Sequence, residues 1–214
     1  MKYIVKGNSP ASLEAYKKIK GASYDDIPRD VKKDVRESLV SEQGGICCYC
    51  GKRILSDYHS VIEHLYPKGL IQYSHLQLEY TNLLCSCDGG ESERFGKTKS
   101  EKRKFPSFCD DKKNNRVLSL TPLDPTCEEQ FSYDEEGHIY GETGIAQEAI
   151  EILGLDCRPL VNLRKAAIDP YLNLELDESG WMAEIEDLSQ RHDGNFRSFC
   201  FAVIYYIRNF KLVI

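Results

Sequence analysis

Apolar positions near the start of the chain recur at helical spacing: Leu13, Tyr16 and Ile19, then Val31, Val35 and Leu39 at i, i+4 and i+8 with charges between them. The spacing predicts a short helix over 12–20 and an amphipathic helix that begins at Pro28 and ends near Gly44-Gly45. The apolar opening Tyr3-Ile4-Val5 is broken by Gly7 and Pro10. Residues 58–65 predict a strand whose end presents His64, and Pro67 and Gly69 then turn the chain away. Residues 88–104, rich in Gly, Lys, Arg and Ser with almost no apolar periodicity, predict a solvated loop. A short helix over 110–116 and a strand over 117–120 follow, and 131–133 and 138–140 predict a hairpin about Gly137. Ala146, Ala149, Ile150 and Leu153 mark a helix capped by Gly154; Leu160, Leu163, Ala166 and Ala167 mark another. The segment 196–212 is apolar over most of a helical surface, so it must be buried, either within its own chain or on a partner.

Composition narrows this α+β pattern. A chain of 214 residues, 41% hydrophobic and 29% charged, can bury one core or a core with an added lobe. Its nine cysteines are odd in number, tightly clustered and not preceded by a signal peptide. That usage fits thiolate metal ligands in a reducing cytoplasm better than a disulfide framework. The longest uncharged apolar run, 198–207, has ten residues, well short of the ~20 that span a bilayer. The net charge of -6 is unevenly spread. Residues 1–92 carry 12 acids and 12 bases, residues 93–120 carry 4 acids and 9 bases, and residues 121–214 carry 18 acids and 7 bases. The middle stretch, net +5, suits phosphate binding despite an acidic whole. The last, net -11, argues for a protein-facing surface.

Candidate chemistry clusters in the middle of the chain. Cys47 and Cys50 have the C-x-x-C spacing that puts two thiolates at adjacent corners of a zinc tetrahedron, with Cys87 and Cys109 as the second pair. Spacing leaves Cys48 and Cys85 open as alternative ligands, and a lone C-x-x-C is also a redox motif. Isolated Cys127, Cys157 and Cys200 read as small buried hydrophobes. Between the pairs lies Glu63-His64, a carboxylate beside an imidazole. Phosphodiester hydrolysis needs a neutral imidazole to deprotonate water and an oxygen-rich cation site. Asp110 suits Mg2+ or Mn2+, or else stabilises a helix N-terminus. His59, His75, His138 and His192 lack such a context. Arg94, Lys97, Lys99, Lys102, Arg103 and Lys104 stand beside Phe95, Phe105 and Phe108, which permits phosphate contacts and base stacking or simply a mobile solvated loop. Lys112 and Lys113 either contact phosphate or solvate their helix.

Taken in order, Cys47-x-x-Cys50, Ile62-Glu63-His64-x-x-Pro67-Lys68, Tyr80-x-Asn82-Leu83-Leu84-x-x-Cys87 and Cys109-Asp110-x-x-Lys113 resemble the HNH endonuclease family, whose core is the ββα-metal fold. More narrowly they resemble its branch with a Cys-x-Tyr-Cys … Glu-His-x-x-Pro-Lys signature. That branch includes effector nucleases of Septu-type anti-phage defence systems, some associated with retrons, which act with an ABC-type ATPase. Lys6-Gly7-x-x-Pro10 and Glu42-Gln43-Gly44-Gly45 match it too, and the resemblance covers about residues 1–145. The chain departs from the pattern in having Asp, not His or Asn, at position 110, and in the 88–108 insertion.

The resemblance implies a zinc-stapled core over 46–120, an N-terminal helical lead-in over 1–45 and an acidic, mainly helical C-terminal extension over 121–214 that docks on a partner. It implies His64 as general base, Asn82 as the residue holding the His-bearing loop, and Glu63 and Asp110 as ligands of catalytic Mg2+ or Mn2+. Cys47, Cys50, Cys87 and Cys109 would hold structural Zn2+. Lys68, Lys97, Lys102, Arg103, Lys104 and Lys113 would contact the nucleic acid, DNA ahead of RNA, and the cut would leave 5′-phosphate and 3′-hydroxyl ends in the cytoplasm. The rival is a non-catalytic zinc-ribbon adaptor bridging an ATPase and nucleic acid, which would keep the cysteines but not need Glu63-His64 or Asn82.

Overall fold

The apolar stripe of the early sequence becomes a helical layer in the computed structural model, which describes residues 1–57, 59–102 and 104–212. Helix α1 (Ala11–Lys17) buries Leu13 and Tyr16. Helix α2 (Arg29–Glu42), opened by Pro28, buries Val31, Val35 and Leu39, the three positions set by the i, i+4, i+8 pattern. Just past α2, the buried Gln43 amide acts as a connector. Its Oε1 accepts from the Cys85 N–H at 2.7 Å, and its Nε2 donates to the carbonyls of Cys85 and Ile46 at 2.8 and 2.9 Å. Lys6 forms a partly buried ion pair with Glu42 and donates to the Leu83 carbonyl at 2.9 Å. These bonds fix α2 against a two-stranded antiparallel sheet of β1 (Ser60–His64) and β2 (Leu83–Cys87), in which Glu63 faces Leu84 and His64 faces Leu83.

Strand β2, which the sequence did not predict, is buried at all five positions, so its residues form an unbroken run without alternation. Helix α5 (Cys109–Lys113) also packs against it. The stretch read as a solvated loop contains two single-turn helices, α3 (Glu91–Arg94) and α4 (Lys99–Lys102). No strand forms over 117–120; Leu118 and Leu120 are buried in irregular backbone instead. Tyr58 of the predicted first strand, and Arg103, lie outside the described residues.

The second half follows its pattern more closely. The predicted hairpin is β3 (Phe131–Tyr133) against β4 (Ile139–Gly141). Helix α6 (Gly144–Leu153) is capped by the Thr143 side chain and ends on left-handed Gly154. Helix α7 (Arg158–Leu172) is longer than its periodicity suggested, and α8 (Glu178–Ser189) was not predicted. Helix α9 (Cys200–Tyr206), continued by a π turn at Ile207–Lys211, packs on α7, α8 and β3. Its apolar surface is therefore covered by its own chain, except at Phe210, which is 47% exposed. One hydrophobic cluster runs from Met1 to Ile207 through both sheets, an α+β arrangement. No helix among the described residues is long and apolar enough to cross a membrane.

Candidate metal centre and active-site cleft

Four thiols converge although their positions span 62 residues of sequence. The Sγ atoms of Cys47, Cys50, Cys87 and Cys109 all lie within 4.8 Å of one another and are buried. Cys47 and Cys109 are 3.8 Å apart, and Cys50 and Cys87 are 3.9 Å apart. A Zn–S bond of ~2.3 Å in a regular tetrahedron gives an S···S edge of about 3.8 Å, so the spacing fits a four-coordinate thiolate site and is far too long for disulfides. Two backbone amides already point at sulfur: Cys87 N–H donates to Cys47 at 3.3 Å and Lys52 N–H to Cys50 at 3.5 Å. The tight turn after Cys50 needs Gly51, with φ of +79° and Phe201 occupying the space of any Cβ. Cys48 and Cys85 do not join the cluster; burial foremost pushes both thiols up, that of Cys85 to about 12. The four thiols that come together are those of the four predicted cysteines.

Beside this cluster, β1 ends in the predicted carboxylate–imidazole pair. Glu63 is 4% exposed, and its Oε1 takes a hydrogen bond from the Tyr49 hydroxyl at 2.9 Å and an ion pair from Lys113 at 2.6 Å. Tyr49 belongs to the cysteine knuckle, so the knuckle itself reaches this carboxylate. Asp110, one residue after Cys109, lies within hydrogen-bonding reach of Glu63. Burial, then the Glu63 contact and charge, push the Asp110 carboxyl up to about 8, although Lys113 opposes the shift. Two carboxyls crowded in this way form an oxygen donor set of the kind that could hold a divalent cation, which would displace the proton.

His64 is 7% exposed and its ring stands edge-on to Tyr24, with centroids 4.4 Å apart. Its Nε2 lies 3.0 Å from the Gln77 carbonyl oxygen. A carbonyl only accepts, so Nε2 carries the proton and Nδ1 is left with its lone pair. Burial holds the His64 imidazole down at about 4, helped by the Lys68 and Lys113 charges and opposed by the Gln77 bond. The ring is neutral across the physiological range, more firmly than its ordinary value near 6.5 required. Asn82 does not face these groups. Its Oδ1 accepts from the Tyr66 N–H at 2.8 Å, and its Nδ2 donates to the carbonyls of Tyr66 and Leu76 at 3.0 and 3.2 Å. It staples the loop that leaves His64.

Glu63, His64, Lys68 and Asp110 line one cleft of about 370 Å³ together with Tyr24 and Asn114. Lys68 sits at its edge, paired with Asp25 at 2.5 Å. Lys113 corrects the expectation of a phosphate contact or a solvated helix: it is 1% exposed, with its ammonium held by Glu63 and by the His64 carbonyl at 2.9 Å. Neither Lys97, Lys102 nor Lys104 lines the cleft; Lys102 and Lys104 are exposed on the insertion, and Lys97 is half-buried over the Phe105 ring. Arg94 anchors that insertion through Asp111 at 2.5 Å. Tyr49 and Gln43 carry no local mark as site supports beyond their place in the motifs, because what each holds is remote along the chain.

A thiol cluster that could hold a metal ion such as zinc stands beside a buried imidazole and two acids, the side chains of a protein equipped for acid–base chemistry. Over an alignment of 176 residues, the chain is 34% identical to "Retron Vc95 putative HNH endonuclease" from Vibrio cholerae serotype O1 biovar El Tor. The match covers 76% of this chain and 80% of that protein. No protein-family model matches the sequence. The chain belongs to the HNH endonuclease family.

Proposed function

We propose that this protein is a metal-dependent endonuclease that hydrolyses nucleic-acid phosphodiester bonds, and that β1, β2 and α5 form its ββα-metal core. The observation that carries the reading is the single cleft shared by His64, Glu63 and Asp110 beside a four-thiol cluster. In the reaction, Nδ1 of His64 accepts a proton from water as the water oxygen bonds to phosphorus and the bond to the 3′ oxygen breaks. Mg2+ or Mn2+ held by Glu63 and Asp110 would supply neutralising charge for the phosphate and the departing oxygen. The ring works from a low resting basicity, and the phosphate anion of a bound substrate raises it toward the operating pH. Asn82 and the Gln77 carbonyl keep the ring aimed, while Cys47, Cys50, Cys87 and Cys109 would hold a Zn2+ ion that ties α5 to the knuckle.

The HNH resemblance supports DNA ahead of RNA, 5′-phosphate and 3′-hydroxyl products, and work as the effector of a cytoplasmic anti-phage defence complex. There the acidic C-terminal region would meet an ABC-type ATPase. A pure adaptor has no use for the Glu63–Asp110–His64 arrangement. The assay is plasmid cleavage by the chain copurified with its genomic neighbour, with Mg2+ or Mn2+ against EDTA. His64→Ala is expected to abolish cleavage with zinc content and fold intact, and full activity in that variant refutes the general-base role.

A further inference from the structure

A second concavity, of about 450 Å³, opens between the insertion and the start of α7. Phe105 and Phe108 contribute aromatic faces to it, Lys104 and Arg158 stand at it as cations, and Glu93 and Asn162 add an acceptor and an amide. Phe108 is buried and fixed as a wall, whereas Phe105 is 36% exposed, with the Lys97 ammonium over its ring at 4.9 Å and the remaining aromatic surface lining the pocket. Among the described residues, neither Lys104 nor Arg158 has a carboxylate partner. Phe108 also lies only two residues before Asp110 of the cleft, so the two sites are joined by at most about 7 Å of backbone.

We propose that this pocket is a nucleotide subsite that takes one unpaired base of the substrate strand, so that the enzyme favours substrates with a single-stranded segment beside the cut. This deepens the nuclease reading and rests on it. The chemistry is complementary on each count. An exposed aromatic face stacks a base, two free cations meet the phosphates on either side, and Glu93 with Asn162 offers hydrogen bonds to a base edge. A paired base cannot enter, because its edge and faces are occupied within the duplex. Arg158 brings one basic residue of the acidic C-terminal third into the substrate path, which the segment charges alone concealed.

The test uses full-length protein carrying His64→Ala, so that the probe is not cut, and a single-stranded oligodeoxynucleotide containing 2-aminopurine beside a duplex of the same sequence. Phe105→Ala and Arg158→Ala are each expected to weaken single-strand binding roughly tenfold or more. Phe105→Ala should also remove the 2-aminopurine quenching, Phe105→Trp should retain it, and duplex binding should change less than about threefold. Zinc content and Tm report that each variant is folded. Unchanged single-strand binding, or equal losses on single strand and duplex, overturns the subsite. Cleavage of the probe by the His64→Ala protein would instead count against the general-base role of His64, and the binding comparison is then made without added divalent cation, so that the two failures are distinguished.

Discussion

Replacing Lys113 by Met removes the cation from a pair whose side chains are 1% and 4% exposed. Lys113 binds Glu63 at 2.6 Å and the His64 carbonyl at 2.9 Å, so the change strands a carboxylate that already faces Asp110. Breaking a buried pair from one side costs about 3–5 kcal/mol. For a chain of 214 residues, each kcal/mol shifts Tm by roughly 2–4 °C, so the melting midpoint should fall by roughly 6–20 °C. Lys68→Met is the matched control. Lys68 pairs with Asp25 at 2.5 Å, but their side chains are 35% and 75% exposed, and such pairs contribute about 0–1 kcal/mol. Calorimetry of both variants with and without Mn2+ reads the comparison. The Lys113 variant should gain more Tm from Mn2+ than the parent does, because the ion replaces the missing positive charge beside Glu63. Equal, small losses in the two variants would refute the buried pair, and an Mn2+ response no larger than the parent's would refute its link to the cation site.

Tyr49→Phe deletes a 2.9 Å hydrogen bond to a charged carboxylate, worth about 1.5–3 kcal/mol. Zinc content should stay unchanged while the Mg2+ concentration for half-maximal cleavage rises, and an unaltered metal requirement contradicts the coupling of knuckle to carboxylate. Cys87→Ser should lose zinc and native circular dichroism together, since structural zinc binding and folding are linked; a folded, zinc-free variant would speak against the staple. Lys102→Gln with Lys104→Gln should flatten the log–log salt dependence of single-strand binding by up to about 1.4, near 0.7 for each lost phosphate contact. An unchanged slope removes these two lysines from the interface.

Local physics made much of this legible. The i, i+4, i+8 stripe of α2, the turn at Gly137 and the Gly154 cap are each decided by residues close in sequence, and each formed where expected. So did the strand that ends at His64. Strand β2 escaped because burial on both faces erases the alternation that marks a strand. Helix α8 carries its stripe at Trp181, Ile185 and Leu188, but acids dilute it between those positions. Cys85 and Cys87 share a face of one strand, so alternation could not separate them; Cys87, which ends β2, is the one that joins the thiol cluster. Lys113 looked like a surface residue in a polar run, and only Glu63, brought from 50 positions away, makes it a buried cation.

Two chemically different metal sites, one of sulfur and one of oxygen, are expected side by side. Anomalous diffraction from crystals grown with Mn2+, collected at the zinc and manganese edges, tests this directly. The predicted result is a zinc peak among Cys47, Cys50, Cys87 and Cys109 and a separate manganese peak against the carboxylates of Glu63 and Asp110 in the His64 cleft. Manganese bound elsewhere, with that cleft lacking a peak, would contradict it.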